Sequence, residues 1–151
     1  MPWIDRATEL SPNFAQGFYA HGWGDVMAGR GAEALQQLQK AIALSPLDPF
    51  LYAMQSACGM AYLQMEDFEN AVLWAERGAR APGSHFLIGA IAAMICKING
   101  NEEKAVHWAT TTKERRPDAS VAMFFNAFPF EDQQMRSQIA SALVSVGFQA
   151  D

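Results

Sequence analysis

The sequence predicts an all-α protein, an α–α superhelix in which antiparallel helix hairpins stack as a solenoid and a C-terminal helix caps the end. Three observations predict it. Every apolar pattern has the helical period, beginning with Phe14, Phe18, Gly22 and Val26 at four-residue steps. Small residues recur in register: Gly22, Gly59 and Ala93 on one set of helices, Ala34, Ala71 and Ala105 on the other, each series spaced by 37 and 34 residues. Prolines close the periods at Pro46, Pro82 and Pro117. No alternating apolar–polar run competes with these helices, so no strand is expected.

Taken in order, Asn13 to Ala28 forms a first helix that ends at "AGRG", where Gly29 and Gly31 supply the turn. Ala32 to Leu44 follows, with Leu35, Leu38 and Ile42 inward, and "SPLDP" stops it. Asp48 is then expected to cap a helix that has Pro49 at its first position and runs to Gln64. After a break at "MED", a helix carries Phe68, Ala71, Val72 and Ala75 to "APGS". Ser84 to Ile98, the "NGN" turn and Glu102 to Arg116 make the third pair. Asp118 to Ala127 reads as a fourth first helix, broken by Pro129. Asp132 caps a last helix with Met135, Ile139, Leu143 and Val146 on one stripe, closed by Gly147 and Phe148 in a Schellman turn.

The start of the chain repeats an ending. "RATELSP", ending at Pro12, matches "KAIALSP", ending at Pro46, 34 residues later. Trp3 stands nine residues before Pro12, as Trp108 does before Pro117. Residues 1–12 are therefore expected to be the second helix of a hairpin, so that the sequence opens inside a repeat. The expected organisation is a single domain, 1–151, with repeats over 13–46, 47–83 and 84–117, then a partial repeat and capping helix over 118–151.

These landmarks resemble the tetratricopeptide repeat (TPR) family. The second repeat carries the pattern best, with Gly59, Tyr62, Phe68 and Ala71. The first keeps Phe18, Gly22, Ala34, Leu38, Ala41 and Pro46 but has Asp25 where tyrosine is usual. The third keeps Gly100, Ala105 and Pro117, with Ala93 and Cys96 in place of glycine and tyrosine. The stretch "PNFAQGFYAHGW…AIALSPLDP" and the closing "PFEDQQMRSQIASALVSVGF" are further similar to TPR regions that trail bacterial class III adenylate or guanylate cyclases and winged-helix transcriptional regulators. The resemblance implies a non-enzymatic module that holds a protein or peptide. In the narrower case it implies a sensory tail detached from its output domain.

Composition sets limits on function. A formal net charge of −5, with Lys and Arg scattered, does not suit nucleic acid. No apolar run reaches membrane-spanning length, and the first dozen residues have no leader-like pattern, so the expected setting is cytoplasmic. Cys58 and Cys96 are too few for a disulfide scaffold and have no metal-ligand spacing. His21, His85 and His107 never fall four apart, so neither a metal pair nor a partnered nucleophile is expected, and no cofactor. Glu66, Asp67, Glu102 and Glu103 are expected at the starts of second helices, where carboxylates favour the helix dipole.

What remains is a surface. In stacked hairpins the resemblance places first helices along the concave groove. Counting outward from their packing faces selects Tyr19, Trp23 and Met27, then Met60, Leu63 and Gln64, then Met94, Lys97 and Ile98 as the partner-binding stripe. Methionines suit an adaptable groove and aromatics an anchor. The groove lacks the Lys, Asn and Arg set by which related domains grip acidic chaperone tails. The expected occupant is an apolar or amphipathic segment: a peptide, the molecule's own terminal helix, or a second copy of the chain. The stripe is expected to be exposed.

Overall fold

A computed structural model describes residues 2–10 and 14–151. Among them, nine helices run in order: α1 (Pro2–Leu10), α2 (Ala15–Met27), α3 (Gly31–Leu44), α4 (Leu51–Gln64), α5 (Phe68–Arg80), α6 (Phe86–Ile98), α7 (Glu102–Arg115), α8 (Val121–Ala127) and α9 (Gln133–Ser145). No strand occurs among the described residues; one isolated parallel bridge joins Ser120 to Gln149. Three hairpins form the stack: α2 packs on α3, α4 on α5 and α6 on α7, and α3–α4 and α5–α6 join hairpin to hairpin. The first helices α2, α4 and α6 also touch one another in series.

The small residues of the repeat lie where helices come closest. A Cβ placed on Gly22 would lie 2.6 Å from the Leu38 side chain of α3. One on Gly59 would lie 2.9 Å from the Ala75 backbone nitrogen and 3.1 Å from the Ala71 carbonyl oxygen of α5. Ala34, Ala71 and Ala105 are fully buried. The seams thus admit nothing larger, which is why the sequence repeats small residues there.

The ends of the three first helices and of the last helix share one motif. In α2, α4, α6 and α9 a residue with φ of +81° (Gly29), +59° (Glu66), +79° (Gly100) or +99° (Gly147) reverses the chain. The next N–H then donates back to a carbonyl five residues earlier: Arg30 to Asp25, Asp67 to Tyr62, Asn101 to Cys96, Phe148 to Leu143. Glu66 therefore ends α4 instead of opening α5, a correction to the expected helix start. Asp67 does cap α5, accepting from the Asn70 N–H at 3.3 Å.

Other boundaries shift for local reasons. Asp48 does not cap α4. Its Oδ1 accepts from the Phe50 N–H at 2.8 Å in a tight turn, and the helix starts at Leu51. α8 is shorter than expected, because Ser120 caps it by accepting from the Met123 N–H at 3.2 Å. α1 is helical as expected, whereas the closing residues 11 and 12 lie outside the described residues. The Trp3–Trp108 parallel does not extend to burial: Trp108 is 5% exposed and Trp3 70%. Ile4, 3% exposed, is the apolar residue α1 turns inward.

The position usually held by tyrosine in the first repeat is filled by charge. Asp25, 3% exposed, accepts from Arg30 Nη2 at 2.7 Å and Nε at 2.9 Å. His21 Nε2 lies 3.4 Å from Asp5 and 3.6 Å from Asp25, tying α1 to α2. His21 is thus half-buried between carboxylates, and its Nδ1 has no hydrogen-bond partner among the described residues.

Candidate functional site

α6 explains what happens to the groove. Its sequence, FLIGAIAAMICKI, has a single charged residue and no polar face. A helix apolar all round has to be covered all round. α5 and α7 cover one side, and α9 packs against another. The segment from α8 through α9, here the arm, lies across the C-terminal halves of all three first helices.

The arm reaches five of the nine expected stripe residues: Trp23, Met27, Leu63, Gln64 and Ile98. Phe128 stacks on Trp23 with ring centroids 4.9 Å apart. The Glu131 N–H donates to the Met27 carbonyl at 3.1 Å. Gln64 Nε2 donates to the Val26 carbonyl at 2.6 Å and lies 3.4 Å from Met135 Sδ. Leu63, Gln64, Ile98, Met135 and Ile139 together line one small cavity. Arg136 sits 4.1 Å from the centre of the Phe125 ring and donates to the Phe130 carbonyl at 3.2 Å, holding α9 against the turn before it.

The stripe is therefore not exposed, contrary to the expectation from sequence. Met60 and Met94 are fully buried and Trp23 is 8% exposed. The structure brings Trp23, Met27, Leu63, Gln64 and Ile98 together under the arm. Lys97 stands apart, paired with Glu102 of α7. Tyr19 lies at the uncovered end. One cost is visible in the covered part: Gln64 Oε1 is buried with no donor among the described residues, a penalty of about 1–3 kcal/mol.

Beyond the arm the groove stays open. A recess of about 240 Å³ is lined by Tyr19, Trp23, Phe50, Tyr52, His85 and Phe128, floored by Ala53, Leu87 and Ile88. Burial raises the Tyr19 hydroxyl pKa, partly offset by a hydrogen bond with Trp23. Phe50, Tyr52, His85 and Phe128 were not selected from sequence. They come from the N-terminal ends of α4 and α6 and from the arm, more than a helical turn from the small residues Gly59 and Ala93. Tyr52, seven residues before Gly59, carried a usable signal.

The remaining chemistry is structural. Burial pushes the Cys58 thiol up to about 12 and the Cys96 thiol up to about 11, which leaves both protonated at neutral pH. Among the described residues no three His, Cys, Asp or Glu side chains gather as a metal site would require. Glu76 of α5, 5% exposed, is held by α7: it accepts from Trp108 Nε1 at 3.0 Å and from Lys104 Nζ at 2.9 Å, with Arg80 at 3.3 Å. Among the described residues no helix is long and apolar enough to cross a membrane.

No family model matches the chain, and no curated protein matches it. The narrower likeness to cyclase and regulator tails thus finds no support in these comparisons. A solved structure described as "Crystal structure of MamA" is similar in fold, with a TM-score of 0.66 at 13% identity. The match covers 95% of this chain and 82% of that one. MamA is a TPR-like helical protein, and the likeness together with the stacked hairpins makes this chain's fold a TPR-like α–α superhelix.

Proposed function

We propose that the chain is a non-enzymatic protein-interaction module that binds an apolar or amphipathic peptide or helix in its concave groove, or self-associates through it. One observation carries the reading: the groove already holds such a segment. The arm presents an aromatic ring to Trp23 and, further on, Met135 and Ile139 one helical turn apart beside Leu63 and Ile98. A partner with that pattern meets the groove with the same chemistry. The undonated Gln64 Oε1 leaves the intramolecular contact short of complete satisfaction, which favours exchange. The sensory-tail reading is a special case of this module and rests on the quoted motifs alone.

The test releases the arm. In Ile139→Asp, a labelled peptide of residues 127–146 is expected to bind with a Kd in the micromolar range, worth about 8 kcal/mol, while the unaltered protein binds it at least tenfold more weakly. Circular dichroism checks that the helices persist. If Ile139→Asp unfolds the chain, Met135→Asp at a half-buried position carries the same test. A released, helical variant that ignores the peptide overturns the reading.

A further inference from the structure

We infer that the open recess beside the arm is a docking site for a proline-rich segment in the polyproline II conformation. The inference rests on the concave face being an interaction surface and adds the chemistry of the occupant. Six rings, from Tyr19, Trp23, Phe50, Tyr52, His85 and Phe128, surround about 240 Å³. A volume of about 240 Å³ holds a few side chains rather than a whole helix of roughly 10 Å diameter, so it suits an extended chain.

Its polar groups are donors. The Leu87 N–H donates to His85 Nδ1 at 3.2 Å, so the imidazole proton sits on Nε2 and is free to donate. The Tyr19 hydroxyl, which lines the recess, can offer its O–H to an outside acceptor. The Tyr52 hydroxyl has no hydrogen bond among the described residues, and its own O–H is available in the same way. A proline-rich chain fits that inventory, because it has carbonyl acceptors, lacks N–H donors, and packs its rings on aromatic faces at low entropic cost.

Charge argues against the other ligand that aromatic cages take, a quaternary ammonium. No Asp or Glu lines the recess. The Asp48 carboxylate, whose charge reaches Tyr19, is already occupied by Ser45 Oγ at 3.0 Å, Gln16 Nε2 at 3.2 Å and the Phe50 N–H. The arm itself already lies on the same wall. Phe128–Pro129–Phe130 is non-helical, with Phe128 stacked on Trp23 and Phe130 buried. The recess continues that interface outward.

The experiment titrates the full chain with a blocked decaproline peptide, following binding calorimetrically and by tryptophan fluorescence. A Gly–Ser decapeptide and tetramethylammonium serve as comparisons. Decaproline is expected to bind at least tenfold more tightly than either. Tyr52→Ala should weaken it tenfold or more and Tyr52→Phe severalfold, separating the ring from its hydroxyl. Phe50→Ala, at an exposed position, should weaken it without disturbing the fold. Equal binding of the Gly–Ser peptide, tighter binding of tetramethylammonium, or indifference to Tyr52→Ala and Phe50→Ala overturns the inference. Failure of decaproline while the 127–146 peptide still binds the released variant overturns this inference alone; failure of both overturns the module as well.

Discussion

Glu66 stands where three equivalent turns have glycine. Its φ of +59° puts a Cβ in the left-handed region that costs a non-glycine residue about 1–2 kcal/mol. Glu66→Gly is expected to raise stability by about 1 kcal/mol, after the extra chain entropy of glycine is deducted, and urea denaturation would read it. An unchanged or lowered midpoint would mean that the Glu66 side chain makes up the strain through its place beside Leu63, Gln64 and Met135. Nothing in the local sequence marks this site, because "QMED" lacks the glycine that announces "AGRG" and "NGN". Asp48 misleads in the opposite direction. It is a good capping residue beside a good first-turn proline, yet it spends its carboxylate on the turn at Phe50.

Between elements, the seams were legible because close packing leaves its mark on residue size. Gly22, Gly59, Ala34, Ala71 and Ala105 could be read directly, since only small side chains fit where the helices touch. Two substitutions test that account against each other. Gly59→Ala sets a methyl against the α5 backbone, which cannot rotate away, and should cost about 2 kcal/mol despite better helix propensity. Gly22→Ala meets the Leu38 side chain, which can change rotamer, and should cost less. Chemical denaturation of both variants gives the order. The arm was harder to read. Gln64 and Met135 are 71 residues apart in sequence, far outside any helical period. The sequence offers the terminal helix only as one of three occupants; what favours it is α6, too apolar on every face to stand in a two-sided stack without a third cover.

Across the whole molecule, Glu76 fastens the second hairpin to the third. Burial alone would raise its pKa, but the bonds from Trp108 and Lys104 and the charges of Lys104 and Arg80 outweigh it and hold the pKa below the usual carboxylate value. A depressed folded-state pKa means stability that is fully present above the unfolded carboxylate range and lost as pH falls through the folded value. The protein should therefore lose melting temperature on acidification below about pH 4.5, and Glu76→Gln should flatten that slope. At pH 7 the variant should be less stable by roughly 1–3 kcal/mol, from the lost charge-assisted bonds. Thermal melts between pH 3 and 7 would read both. A slope identical in the two proteins would place the acid sensitivity elsewhere.

Stacks of helical hairpins flex like springs, since small rotations at each seam add along the array. Here one length of chain is fastened to α2 at Met27, to α4 at Gln64 and to the neighbourhood of Ile98 on α6. A spring tied across three coils keeps one pitch. The curvature of the inner face is thus set by its own tether, and any guest that unhooks the tether also loosens the coil that receives it.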